Sequence, residues 1–173
     1  FFVLIIGAVF NIIQESGTIN VIMYRLMARF REKPFILFFA IYFALSCASS
    51  FMGMGSEFIP LIPIFLLIAK ETGRDRLFGV SLYMLPVFIG WTTAITNPFT
   101  VQIAQSIAEL PIGSGMPFRI ILFVICFVIG FAYLIRYGNK VKKNWSNSIM
   151  NEAHFELDGS FVLKNEPVTR RHI

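Results

Sequence analysis

The stretch from Pro34 to Ala69 contains a single charged side chain, that of Glu57, in an otherwise apolar or weakly polar run. A run of this length and composition is typical of a segment that lies in a lipid bilayer. A carboxylate at membrane depth is costly, and such groups are usually functional. The sequence therefore predicts an all-α integral membrane protein in which Glu57 is the first candidate functional residue.

The composition supports this class and excludes others. Hydrophobic residues make up 56% of the 173 residues, which is too apolar for a soluble domain. The net charge of +5 does not indicate nucleic acid binding, because the Lys and Arg residues cluster beside apolar runs, as the positive-inside rule describes. Cys47 and Cys126 lie in apolar runs, whereas His154 and His172 lie in the polar tail. We therefore expect no enzyme, no metal site and no cofactor.

The first 33 residues are predicted to contain two helices. Residues 1–13 are too short to cross a core of roughly 30 Å, so we expect a transmembrane helix whose start is missing and a chain that is a fragment of a longer protein. Residues 18–33 have apolar positions at helical spacing, which predicts an amphipathic helix at the cytoplasmic interface. The basic residues of this amphipathic helix are Arg25, Arg29, Arg31 and Lys33. The alternative is that residues 18–33 form a solvated helix in a loop.

Basic residues flank the apolar stretch at both ends, with Lys33 before it and Lys70, Arg74 and Arg76 after it. If both ends are cytoplasmic, the stretch must enter the membrane and return, either as two full spans or as a re-entrant hairpin. Its second part, residues 58–69, is only about 18 Å long as a helix. This length favours a re-entrant hairpin over 35–69 that turns near the midplane of the membrane.

The predicted hairpin tip lies at residues 52–57. Gly53 and Gly55 permit a tight turn there. Ser56 is predicted to be the N-cap of the returning helix, with Glu57 as an acidic residue of its first turn. Pro63 is expected to kink that helix.

The next apolar segment is predicted to be a broken transmembrane helix. Residues 77–108 carry no charge, and one continuous helix would be about 48 Å long, well beyond a single span. The polar segment 91–98 interrupts it. Asn97 is suited to cap the second half-helix, and Pro98 is suited to its first position.

The remaining segments complete a multi-pass topology in the inner or plasma membrane. The loop after residue 108 has no Lys or Arg and is expected outside, whereas 117–137 is predicted to span the membrane and return to a basic cluster. Segments 18–33, 70–76 and 138–173 are then cytoplasmic, the last as a connector. Arg119, at the external end, is expected to snorkel to the interface rather than pair with Glu109.

Two interrupted membrane segments, each followed by a half-helix N-terminus, are typical of a transporter substrate site. Backbone N–H groups at these ends bind anionic groups, and nearby oxygens bind cations. The predicted helix-break residues are Gly53 and Pro98. The predicted substrate-binding residues are Gly55, Ser56, Glu57, Thr92, Thr93, Thr96 and Asn97.

Two motifs resemble a known family. Gly53-Met54-Gly55-Ser56-Glu57-Phe58-Ile59-Pro60-Leu61 and Thr92-Thr93-Ala94-Ile95-Thr96-Asn97-Pro98-Phe99-Thr100 resemble the YfcC family of the ion transporter superfamily. That family is grouped with anaerobic four-carbon dicarboxylate carriers and with arginine/ornithine-type antiporters. The resemblance implies the first inverted repeat of an elevator-type transporter that forms a homodimer. It also implies a fixed scaffold and a moving domain that carries the hairpin and the broken helix.

The sequence at the tip bears on the substrate. Sodium-dicarboxylate relatives have Ser-Asn-Thr there, whereas this chain has Gly55-Ser56-Glu57, so proton and sodium coupling both stay open. The Glu57 carboxylate would repel a dicarboxylate and attract a guanidinium or ammonium group. We therefore expect a basic amino acid antiporter that works by alternating access. A four-carbon dicarboxylate carrier is the alternative, and a channel or a membrane scaffold is less favoured. Glu57 itself could instead carry a proton or serve only as a cap.

Overall fold

The computed structural model describes residues 33–150, and the regular elements in this range are all helical. They are α1 (Pro34–Met52), α2 (Ile62–Glu71), α3 (Arg76–Thr93), α4 (Ile103–Ile107) and α5 (Met116–Lys143), with short 3-10 helices at Ser56–Leu61 and Trp145–Asn147 and a π-helical turn at Pro98–Gln102. The predicted helices over 1–13 and 18–33, Lys33 excepted, lie outside the described residues. The part of the predicted connector after residue 150 also lies outside the described residues.

Three helical segments in the described range are long and apolar enough to cross a membrane. They are Pro34–Met52, Arg76–Ile107 and Met116–Lys143. The chain is therefore a multi-pass α-helical membrane protein. The last segment, with 28 residues, is longer than the predicted 117–137, because the helix continues through its basic end to Lys143.

The two arms of the predicted hairpin are of similar length. Helix α1 has 19 residues and is about 28 Å long. The returning arm combines the 3-10 helix from Ser56 with α2, and together they span about 27 Å. The returning arm is therefore longer than the about 18 Å expected for an α-helix over 58–69, because it begins at Ser56 with a 3-10 helix. The turn near the midplane of the membrane stays a prediction.

Pro63 does not kink the returning arm. It lies in the first turn of α2, where a backbone N–H has no partner within the helix. Pro60 lies inside the preceding 3-10 helix. The arm therefore changes from a 3-10 helix to an α-helix at Ile62, next to the position where a kink was expected.

Helix α3 lies at the centre of the fold and packs against α1, α2 and α5. Close approach to α1 depends on Gly90, since a Cβ there would lie 2.5 Å from Ser49 Cβ and 2.6 Å from the Ser46 carbonyl oxygen. Small residues at helix contacts are the usual means by which membrane helices approach each other. This contact sets the register between the hairpin and the broken helix.

Helix α5 is joined to α1 by aromatic rings and to the start of α3 by a buried carboxylate. Tyr42 packs edge-to-face on Phe127, with ring centroids 5.2 Å apart. At the basic end, buried Asp75 caps α3 by accepting from the Phe78 N–H at 2.9 Å. Its other oxygen accepts from the Tyr137 and Ser148 hydroxyls. The residues after α5 thus fold back onto the start of α3.

Candidate functional site

The hairpin tip and the break in the apolar helix lie against each other. At the end of α1, the Ser50 carbonyl oxygen accepts from the Thr96 N–H at 3.3 Å, and the Ser50 hydroxyl accepts from the Ile95 N–H at 3.0 Å. The Thr96 hydroxyl donates to the Phe51 carbonyl oxygen at 3.1 Å. Two segments that are 45 residues apart in the chain are therefore joined through backbone groups that no regular helix satisfies.

Asn97 is the buried centre of this junction. Its side-chain oxygen accepts from the Phe99 N–H at 2.9 Å, so Asn97 caps the second half-helix, and Pro98 occupies the first turn, as expected. Its side-chain amide donates to the Ser49 carbonyl oxygen at 3.4 Å. Gly53 lies opposite with φ +73°, and a Cβ there would be 2.7 Å from Asn97 Oδ1. Only glycine fits this position.

Two aromatic residues of α3 hold the rest of the tip. The Trp91 indole N–H donates to the Met54 carbonyl oxygen, and the Tyr83 hydroxyl donates to the Gly55 carbonyl oxygen, both at 3.1 Å. Neither residue was among the predicted site residues, although Trp91 lies in the predicted break 91–98. Their signal was an aromatic ring with a polar group inside an apolar run, which does not reveal the partner before the fold is known.

Glu57 folds back onto the tip. Its Oε2 accepts from the Gly55 N–H at 2.7 Å. The prediction that Ser56 is the N-cap is wrong, because Gly55 occupies that position without a side-chain cap, and exposed Ser56 is the first residue of the 3-10 helix. The half-buried carboxylate is oriented by the backbone of its own turn.

Helix α3 ends in an unusual conformation. Ala94 has φ +39°, in the left-handed region, and its carbonyl oxygen accepts from Arg119 Nη1 at 3.3 Å. The observed partner of Arg119 is thus a carbonyl oxygen of the break and not Glu109, while its predicted position at the membrane interface stays a prediction. A cation beside the carbonyl end of a helix is electrostatically favourable. Arg119 therefore contacts the break, although it was not among the predicted site residues.

A cavity of about 480 Å³ lies beside the break. Its lining includes Thr92, Thr93, Thr100 and Arg119. Thr93 is buried and its hydroxyl donates to the Ile89 carbonyl oxygen at 2.7 Å, whereas Thr92 is exposed. The Thr100 hydroxyl is buried and has no hydrogen-bond partner in the part of the chain that the structure describes. This is a pocket with hydroxyl oxygens and one guanidinium.

The structure therefore divides the predicted site residues. Gly53, Thr96 and Asn97 form the junction of tip and break, while Thr92 and Thr93 line the cavity with Arg119. Ser56 and Glu57 are not among the residues that line that cavity. Within residues 33–150, no group of three or more His, Cys, Asp or Glu side chains is placed to hold a metal ion.

Comparison with known proteins identifies the family. The model of the C4-dicarboxylate anaerobic carrier family, DcuC, matches residues 1–170. A protein of Escherichia coli (strain K12) named "Putative basic amino acid antiporter YfcC" is 31% identical over 170 residues, which is 98% of this chain and 33% of that protein. An uncharacterized protein of Haemophilus influenzae is 23% identical over 168 residues, which is 97% of this chain and 33% of that protein. No solved structure matches the chain.

These matches confirm the resemblance read from the two motifs. The chain spans about a third of the length of the curated relatives that it matches. The chain belongs to the C4-dicarboxylate anaerobic carrier family of membrane transporters.

Proposed function

We propose that this chain supplies one repeat of a secondary active transporter that exchanges basic amino acids across the cell membrane by alternating access. The observation that carries the proposal is the carboxylate of Glu57, held by the Gly55 N–H on a hairpin tip that is bonded to the break of a spanning helix. The name of the Escherichia coli relative supports the same substrate class. Glu57 is the half-buried anion to which a guanidinium or ammonium group is attracted.

Arg119 complements Glu57 in this proposal. An amino acid with a basic side chain carries a carboxylate as well as its cations. The Arg119 guanidinium and the Thr92 hydroxyl group line the cavity beside the break and are able to donate to that carboxylate, whereas the Thr93 hydroxyl already donates to the Ile89 carbonyl oxygen. Glu57 then selects the cationic end of the substrate and Arg119 its anionic end. Neither proton nor sodium coupling is favoured by these contacts.

A four-carbon dicarboxylate is the second candidate substrate. The family model carries that description, and Arg119 beside three threonine side chains is the observation that favours an anion. For this substrate Glu57 would be repulsive unless protonated. The two candidates therefore make opposite demands on Glu57.

The proposed assembly is a homodimer that moves the hairpin and the break together across the membrane. The hydrogen bonds from Ser50 to Ile95 and Thr96 support such a joint movement, because they couple the two elements directly. The basic ends of the helices would face the cytoplasm.

The full-length protein in proteoliposomes tests the proposal. Labelled arginine should exchange for internal ornithine, and labelled succinate should not exchange for internal succinate. Glu57→Gln should reduce arginine exchange by about tenfold or more, since loss of the charged partner of the substrate cation at this half-buried position is expected to exceed the 1.4 kcal/mol of a tenfold change. Glu109→Gln, which removes a charge from an exposed loop, is the matched control.

Two results would contradict the proposal. Unchanged arginine exchange in Glu57→Gln would remove Glu57 from the site. Succinate exchange without arginine exchange would favour the dicarboxylate.

A further inference from the structure

A second cavity, of about 450 Å³, lies at the opposite end of α1 and α3 from the candidate substrate site. It is formed where the start of α1 meets the end of α5. Three basic side chains line it, those of Lys33, Arg74 and Lys142, and within residues 33–150 its lining has no acidic side chain. Nothing in the proposed transport reaction uses this cavity.

Arg74 is a buried cation with neutral partners. Its side chain is only 4% exposed, and its Nη atoms donate to the Thr72 carbonyl oxygen at 3.1 Å and to Asn139 Oδ1 at 3.2 Å. Its Nε is buried and has no hydrogen-bond partner among residues 33–150. Burial lowers the pKa of Arg74 to about 10, so the guanidinium is still charged at neutral pH. A buried charge with an unpaired donor is unfavourable unless an anion compensates it.

Aromatic packing fixes this guanidinium in place. Its central carbon lies 4.5 Å from the centroid of the Phe38 ring and 4.9 Å from that of Phe78. The carboxylate next to it in sequence, Asp75, accepts from Phe78, Tyr137 and Ser148 instead. Arg74 is therefore preorganised at the wall of the cavity.

The N-terminus of α1 adds a second positive element. Helix α1 begins at Pro34 with Lys33 at the N-cap, and it has neither a side-chain cap nor an acidic residue in its first turn. A helix N-terminus favours anions, so a lysine at this position is electrostatically unfavourable by itself. Residues 34–36 line the cavity beside Lys33. An anion in the cavity would contact both the helix end and the lysine.

The cavity also has an apolar side. Phe35 and Ile36 line it and are 54% and 46% exposed, and Ile135 of α5 lines it as well. Basic residues next to exposed apolar ones, at the end of spanning helices, match the two parts of a phospholipid. A soluble anion would have no use for the apolar side.

We propose that this cavity binds an anionic phospholipid, with the phosphate between Lys33, Arg74 and Lys142 and an acyl chain along Phe35 and Ile36. The lipid would join α1 to α5 at the basic end of the protein. Inorganic phosphate carries the same charged group as the lipid headgroup, so it is the competing ligand for these three basic side chains.

Lipid binding to the full-length protein in detergent tests this inference. Native mass spectrometry would compare phosphatidylglycerol with phosphatidylcholine, with and without millimolar inorganic phosphate. The test variant is Lys33→Gln/Lys142→Gln, which changes two exposed side chains and leaves buried Arg74 in place. The control is Lys140→Gln/Lys143→Gln, which removes the same charge from exposed positions that do not line the cavity.

The wild type and the control should prefer phosphatidylglycerol, and the test variant should bind it about tenfold or more weakly, as expected for two lysines near a lipid phosphate. Equal losses in both double variants would show diffuse attraction and overturn the cavity site. Unchanged binding in the test variant would overturn it too. Displacement of the lipid by inorganic phosphate would assign the site to free phosphate instead.

Discussion

Arg119 makes two kinds of contact at the break in the membrane helix: it donates to a carbonyl oxygen, and it lines the cavity beside the break. The end of α3 leaves carbonyl oxygens without helical partners, and Arg119 donates to one of them, that of Ala94. The same guanidinium lines the cavity beside Thr92 and Thr93. A residue with both contacts is able to bind substrate and to hold the break in shape, so a test must separate the two roles.

The comparison of arginine with agmatine, which lacks the carboxylate, makes that separation. Arg119→Gln in the full-length protein should raise KM for arginine by about tenfold while KM for agmatine changes little, because only arginine loses a charge-assisted hydrogen bond. Exchange kinetics in proteoliposomes measure both values. Arg119→Lys, which keeps the charge, should recover part of the loss. Equal increases for the two substrates would assign Arg119 a purely structural role.

Residues whose partners are local could be predicted from the sequence, and those with distant partners could not. Asn97 caps the Phe99 N–H two residues away, so the Asn-Pro pair was sufficient evidence. Arg119 bonds to a residue 25 positions away, and Trp91 to one 37 positions away. The prediction of Ser56 as the N-cap was wrong although all the residues involved are neighbours in the sequence. The Glu57 carboxylate accepts from the Gly55 N–H at the start of this turn.

At the scale of elements, the helix contacts depend on small residues. Gly90 of α3 lies against Ser46, Ser49 and Ser50 of α1, close to the end of each helix. The apolar runs alone predicted both helices, but apolar composition does not specify which faces meet. The observed contact places the tip beside the break, which periodicity could not establish.

Gly90→Ala should destabilise this contact. The added Cβ would lie 2.6 Å from a backbone oxygen of α1, so the helices must separate, at an expected cost of about 1–3 kcal/mol. The apparent Tm of the full-length protein in detergent should fall. Ala132→Val, which adds methyl groups on an exposed face of α5, is the control and should change Tm less. Equal Tm values for Gly90→Ala and wild type would contradict the packing described.

At the scale of the whole molecule, the helix ends are sorted by charge. Lys33, Arg74 and Lys142 come together around one cavity, although they belong to three separate parts of the chain. Asp75 links the same end through Tyr137 and Ser148. The basic residues that the positive-inside rule counts along the sequence are therefore gathered at one end of the described structure.

Cysteine labelling tests the orientation that follows. In a full-length protein whose native cysteines are replaced, Ser114→Cys should react with an impermeant maleimide in intact cells, and Thr72→Cys should react only after the membrane is opened. Ser114 follows α4 at the end that lacks the basic cluster, whereas Thr72 directly follows α2 and its carbonyl oxygen accepts from Arg74. The reverse labelling pattern would overturn the orientation.

The contact between Gly53 and Asn97 has a consequence for where a solute is able to bind. A Cβ at Gly53 would lie 2.7 Å from Asn97 Oδ1, so the tip and the break touch at this point without space for a bound molecule. The two elements therefore present one continuous surface, and a solute contacts that surface from outside and does not pass between them.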